Sequence, residues 1–133
     1  MDAQLLAPTA LAWVLLGSAI GGCARYAVSG WVARCCGNGF PWATLVVNVR
    51  GAGLIGLLAG VLGERTTALE ETAVLLLVYG LLGSYTTVSS FSLQTLGLMR
   101  DGAPLHAASN VLLSVALCLL AAWGGWWIGG AAL

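Results

Sequence analysis

From Gly83 to Ser92 the chain reads Gly-Ser-Tyr-Thr-Thr-Val-Ser-Ser-Phe-Ser, a run of hydroxyl side chains inside a segment otherwise apolar enough to cross a membrane. A polar group left unsatisfied in hydrocarbon costs several kcal/mol, so such a run persists only where it faces protein, water or a permeating solute. Other polar residues stand in equally apolar surroundings. Asn48 follows Leu45-Val46-Val47, Arg50 comes two positions later, and Arg25 follows Gly21-Gly22. Asn110 and Ser114, with Ser109 beside them, are spaced to share one face of a helix. Asp2, Glu64, Glu70, Glu71 and Asp101 all fall at termini, loops or segment ends. The apolar stretches therefore hold neutral donors and positive charge but no carboxylate. Proton-coupled transporters and cation pathways need an embedded acid, whereas this set suits an anion.

Each of these residues also has a purely structural explanation. Arginines in a span snorkel or bind backbone carbonyls. Asn48 can hydrogen-bond another helix, and the serines can bond back to their own. Cys23, Cys35, Cys36 and Cys118 lack metal-ligand spacing, and adjacent Cys35 and Cys36 are poorly placed for a mutual disulfide, so they read as small apolar fillers. His106 has no ligand-type neighbours and reads as an interfacial or packed side chain.

The elements that must position these residues follow from composition. Of 133 residues, 59% are hydrophobic and 8% charged, with 19 glycines and six tryptophans, which marks an integral membrane protein. Crossing the bilayer takes roughly 20 helical residues. Four apolar stretches, about 5–33, 42–62, 72–99 and 105–128, use nearly the whole chain and predict a single four-helix transmembrane domain over residues 1–133. The first lacks a basic n-region and exceeds a signal h-region, which predicts a retained helix. Gly37-Asn38-Gly39-Phe40-Pro41, Glu64-Arg65-Thr66-Thr67 and Arg100-Asp101-Gly102-Ala103-Pro104 punctuate the boundaries. Gly56 and Gly60 form a GxxxG pair suited to close helix packing.

The third stretch, from Thr72 to Met99, would measure about 42 Å as an unbroken helix, longer than a membrane needs. A break near residues 83–87 shortens it. Unwound backbone at membrane depth is tolerated where it lines a cavity or binds an ion. Carbonyls freed there suit a hard cation such as Na⁺, while the hydroxyls and the positive edge of the Phe91 ring suit an anion. Orientation is almost unspecified: with the N-terminus inside, the inner side carries Arg65 and the outer side Arg34 and Arg100. A bias of one residue allows insertion either way round and hence an antiparallel dimer, the alternative being a fixed orientation set by other flanking features.

Three segments carry a resemblance: Gly21-Gly22-Cys23-Ala24-Arg25-Tyr26, Phe40-Pro41-Trp42-Ala43-Thr44-Leu45-Val46-Val47-Asn48, and Gly83 through Ser92. In their order and spacing the chain resembles the Fluc (CrcB-type) fluoride channel family, over all four spans. The resemblance implies an all-α membrane protein with a broken third helix, an antiparallel dual-topology dimer with two fluoride pores, and a structural Na⁺ at the dimer centre. It places Asn48, Phe91, Asn110 and Ser114 on the fluoride pathway, Arg25 near its entrance, and the backbone carbonyls of Gly83 and Thr86 on Na⁺. Thr87 and Ser90 supply hydroxyls to the same route. It further implies a passive, non-enzymatic channel in the cell membrane, exporting fluoride that entered as the neutral acid. No nucleic-acid partner is expected.

The family pattern Thr-Thr-Phe-Ser-Thr-Phe appears here with Val88 at the first phenylalanine and Ser90 at the second threonine. One ring edge is missing. Ala43 stands for the usual glycine, and Arg50 for a small or apolar residue. A degenerate aromatic box fits one partner of a heterodimer with a paralogous subunit, while a homodimer is the simpler assembly. Two other classes are a small dual-topology drug or cation exporter, which lacks its embedded glutamate here, and a non-transporting membrane assembly subunit, which leaves the polar residues of three spans without a shared purpose.

Overall fold

The computed structural model describes residues 8–37, 39–63 and 67–131. Asn38 of the first turn, Glu64, Arg65 and Thr66 of the second loop, Asp2, and residues 5–7 of the expected first span lie outside the described residues. Among the described residues all regular structure is helical, and four segments are long and apolar enough to cross a membrane: Pro8–Cys36, Trp42–Leu62, Glu70–Arg100 and Pro104–Ala131.

Helix α1 spans Pro8–Cys36 and stops at Gly37, whose φ of 74° takes the left-handed conformation that ends helices; its N–H still reaches the Ala33 carbonyl at 3.0 Å. Helix α2 covers Trp42–Leu62, with Pro41 as its N-cap rather than inside its first turn, and ends at Gly63 with φ 54°. Helix α3, Ala68–Ala73, opens with a capping box in which the Thr67 hydroxyl accepts from the Glu70 N–H and the Glu70 carboxylate accepts from the Thr67 N–H.

The chain then widens into a nine-residue π-helical segment, π1, over Val74–Leu82. A single α-helical turn, α4 (Gly83–Tyr85), follows. Thr86 and Thr87 are extended, with φ/ψ of −78°/160° and −152°/120°, before α5 resumes over Val88–Arg100. Gly102, at φ 74°, turns the chain into α6, Pro104–Ala131, which begins on a proline whose missing N–H costs nothing at that position.

Glycines decide which helices meet. Lipid is as apolar as leucine, so helices in a bilayer associate through close packing of small residues. A methyl group added at Gly17 or Gly21 would collide with the Leu76 or Leu81 carbonyl, and one at Gly80 with Val14 and Gly17, so α1 lies directly on π1. Likewise Gly56 faces the Ala122 carbonyl, Gly60 that of Trp126, Gly125 that of Gly53 and Gly129 that of Leu57, locking α2 against α6. Both pairs run parallel, first span with third and second with fourth. Between them, buried Val47, Leu82 and Tyr85 form a small core with Ala24, Val28, Ile55, Leu58 and Leu81 around it. The outer face of α6 displays Leu112, Leu119, Leu120, Trp123, Trp126 and Trp127, the surface lipid would cover. The Trp126 end lies beside Gly60, while Phe40 and Trp42 mark the opposite end of α2, an arrangement of aromatic girdles at two interfaces.

Candidate functional site

The site is built around Thr87. An extended residue directs its N–H and C=O to the same side, as in a β-ladder, and the Asn48 carboxamide meets both. Thr87 N–H donates to Asn48 Oδ1 at 2.8 Å, and Asn48 Nδ2 donates to the Thr87 carbonyl at 2.8 Å. Asn48 is thus bonded helix to helix, with one Nδ2 hydrogen left over. One turn further along α2, Gly51 sits so close to Thr86 that a methyl group there would strike the Thr86 Cγ2. Asn48 and Gly51 together give α2 the face that fits this stretch of the third span.

The Thr87 side chain caps α5. Its Oγ1 accepts from the Ser90 N–H at 3.2 Å, donates to Ser90 Oγ at 3.1 Å and lies 3.1 Å from Ser89 Oγ. On the other side, Thr86 bonds back onto the Leu82 carbonyl through both N–H, at 3.0 Å, and Oγ1, at 2.9 Å. Ser84 Oγ donates to the Ser18 carbonyl at 2.9 Å and tethers the region to α1.

A second polar link lies along α5. Thr95 Oγ1 donates to the Phe91 carbonyl at 2.8 Å, and Asn110 Nδ2 donates to Thr95 Oγ1 at 2.9 Å. Asn110 is 1% exposed, and Ser114, one turn further along α6, is also buried. Thr87, Ser90, Phe91, Gln94 and Thr95 fall on one helical face by their spacing, so the two hydrogen-bond networks lie in a line from Asn48 to Asn110, with buried Ser114 one turn beyond it on α6. Arg25 is half-buried on α1 and takes part in neither network; Gly83 is exposed and Thr86 half-buried. Val88, immediately beyond the cap, is 76% exposed. Arg50 is exposed at the edge of an apolar groove between α2 and α6 that includes Gly53, Leu57, Gly125 and Ile128.

Gln94 is a member of the line that sequence reasoning missed. Its Oε1 is buried without a hydrogen-bond partner among the described residues. The residue borders an open cavity of about 290 Å³ lined also by Ala33, Phe40, Pro41, Ala43 and Asp101. The available signal was its place one turn after Phe91. The His106 ring lies 6.4 Å from that of Phe40, one of the cavity's lining residues. All four cysteines are free, and among the described residues no three His, Cys, Asp or Glu side chains converge on a metal position.

Residues 12–126 match the family described as CrcB-like protein, Camphor Resistance (CrcB). Relatives include a fluoride-specific ion channel FluC of Methylocella silvestris, 49% identical over 114 residues that make up 85% of this chain and 87% of the relative. The fluoride-specific ion channel FluC 2 of Bradyrhizobium diazoefficiens is 53% identical over 110 residues, 81% of this chain and 80% of the relative. The FluC of Paramagnetospirillum magneticum is 51% identical over 116 residues, 86% and 90% of the two chains. A match across all four spans, at about half identity with chains of nearly the same extent, makes this protein a member of the CrcB family.

Proposed function

We propose that the protein is a fluoride-selective passive channel of the cell membrane that lets cytoplasmic fluoride leave down its gradient. The observation that carries this reading is the 49–53% identity, over more than four-fifths of the chain, to proteins named fluoride-specific ion channels. The geometry supports it: the line from Thr87 and Ser90 past Phe91 to Asn110 and Ser114 offers neutral donors and a ring edge, with no carboxylate on it. Fluoride is small and strongly hydrated, so a narrow route must replace its water with such donors, and larger halides fit it poorly. The spare N–H of Asn48 and the hydroxyls supply those donors, and half-buried Arg25 adds positive potential near the entrance. Flow along the line requires no proton coupling and no bond making or breaking.

In this reading two copies assemble antiparallel, each inserted in the opposite sense. The exposed Gly83, Val88 and Ser89 near the extended residues are then covered by the second subunit, which is a paralogue if the Phe missing at Val88 must come from elsewhere. Thr86 and Thr87 form the break of the third helix. The chemistry there fits Na⁺. In a continuous helix Thr87 N–H would bond the Gly83 carbonyl and Ser90 N–H the Thr86 carbonyl. Here those donors go to Asn48 Oδ1 and Thr87 Oγ1. Both carbonyls are left as hard neutral oxygen ligands, the type such cations take. When bound, the ion supplies structural cross-linking, and the residues of the line carry the anion.

The test is fluoride efflux from liposomes containing purified protein, followed with a fluoride electrode and compared with chloride. Fluoride release with chloride retained is expected. No release from the protein, alone or mixed with a paralogous subunit, would sink the reading.

A further inference from the structure

We infer that Asn48 is a positioning residue for the cation site: its side chain keeps that site open by withholding backbone donors from it. The inference rests on the assignment of the Gly83 and Thr86 carbonyls to Na⁺. The helical ladder is interrupted where Thr86 and Thr87 are extended, and side chains take two of the donors that would have closed it, Thr87 N–H and Ser90 N–H. Asn48 Oδ1 holds the Thr87 N–H at 2.8 Å that would otherwise close on Gly83. Asn48 Nδ2 holds the Thr87 carbonyl at 2.8 Å and so pins that residue in its extended conformation. Only from that conformation does Thr87 Oγ1 cap Ser90 at 3.2 Å and relieve the Thr86 carbonyl of its donor.

Removing the carboxamide therefore acts on both carbonyls. Thr87 N–H is freed to return to Gly83, and once Thr87 becomes helical Ser90 N–H returns to Thr86. An unpaired carbonyl at membrane depth is costly, so the ladder closes unless something prevents it. Of the four hydrogen-bonding positions of the carboxamide, one Oδ1 lone pair and one Nδ2 hydrogen are committed to Thr87, and the second hydrogen serves the anion line. Asn48 thereby joins cation retention to anion passage within one residue.

The experiment measures the thermal midpoint of the purified protein as Na⁺ replaces N-methyl-D-glucamine with the anion held constant. Wild type should be stabilised by Na⁺ with a definable half-saturating concentration. Asn48→Ala should raise that concentration roughly tenfold or more, the equivalent of one or two lost hydrogen bonds. Thr87→Val, which removes the cap, should shift it in the same direction, and Thr87→Ser, which keeps an Oγ, should restore it. Phe91→Ala should weaken fluoride efflux yet keep the wild-type Na⁺ dependence, which separates this effect from general damage to the pathway. Wild-type Na⁺ dependence in both Asn48→Ala and Thr87→Val would overturn the inference while leaving the cation assignment standing. No Na⁺ dependence in wild type would overturn the cation assignment and the inference with it. If Asn48→Ala does not fold, the contrast between Thr87→Val and Thr87→Ser decides.

Discussion

Asn48 and Asn110 are the same side chain placed in two different circuits, and their substitutions should fail differently. Asn48→Asp keeps an acceptor for the Thr87 N–H but has no donor for the Thr87 carbonyl, and it sets a negative charge beside the proposed anion line. Fluoride efflux should vanish; unchanged flux would remove Asn48 from the route. Asn110→Leu removes only the donor to Thr95 Oγ1, and should lower stability by about 1 kcal/mol, read as a lower thermal midpoint, with efflux reduced rather than abolished. Val88→Phe adds a ring edge at the 76%-exposed position beside the cap. Efflux of the protein reconstituted alone should rise by about fivefold, the value of one added edge contact near 1 kcal/mol. A fall would argue that Val88 packs against a particular partner. The polar members of the line were legible in the sequence because a polar residue in an apolar run has no cheap explanation. What each of them holds was not legible: that Asn48 meets Thr87, or Asn110 meets Thr95, depends on how separate helices dock. Gln94 escaped notice because one more polar residue near the end of a span looks like an ordinary boundary.

At the level of the helix, adjacent glycines give a clean contrast. A methyl group at Gly21 collides with the Leu81 carbonyl and Ser84 Oγ, whereas one at Gly22 meets open space; Gly125 and Gly124 repeat the pattern on α6. Gly21→Ala and Gly125→Ala should each destabilise by about 1–3 kcal/mol through overpacking. Gly22→Ala and Gly124→Ala should be neutral or slightly stabilising, since alanine suits a helix interior better than glycine. Thermal midpoints of the four variants check this. The four candidate spans are evident from apolar run length, and Gly37 and Pro104 stand where helix-ending and helix-starting residues belong. The Gly56–Gly60 spacing advertised a close contact but not its recipient. The π-helical stretch had no signature at all: Val-Leu-Leu-Leu-Val-Tyr-Gly-Leu-Leu is apolar almost throughout, and nothing in its pattern separates π from α winding or points Gly80 at Gly17.

For the molecule as a whole, the proposed antiparallel dimer needs both orientations in one membrane. Arg34 and Arg100 end α1 and α5 at the same face of the bundle, and a bias this small should leave roughly half of the molecules each way up. Cys35 and Cys36, exposed at that face, report it: a membrane-impermeant thiol reagent should label about half of the chains in sealed vesicles. Gly39→Lys combined with Ala103→Lys should drive labelling to all or none and abolish efflux from the protein reconstituted from such cells. Full labelling of wild type from one side would rule out mixed orientation. The glycine contacts also bear on how the subunit is made. The first span zips to the third and the second to the fourth, so the closest, glycine-lined seams join helices that are not neighbours along the chain. During synthesis the glycine face of α1 waits for Gly80, and that of α2 waits for Gly125. A nascent chain halted after Arg100 therefore leaves the Gly53, Gly56 and Gly60 face of α2 bare, an unpaired strip of small residues that marks a subunit still lacking its fourth span.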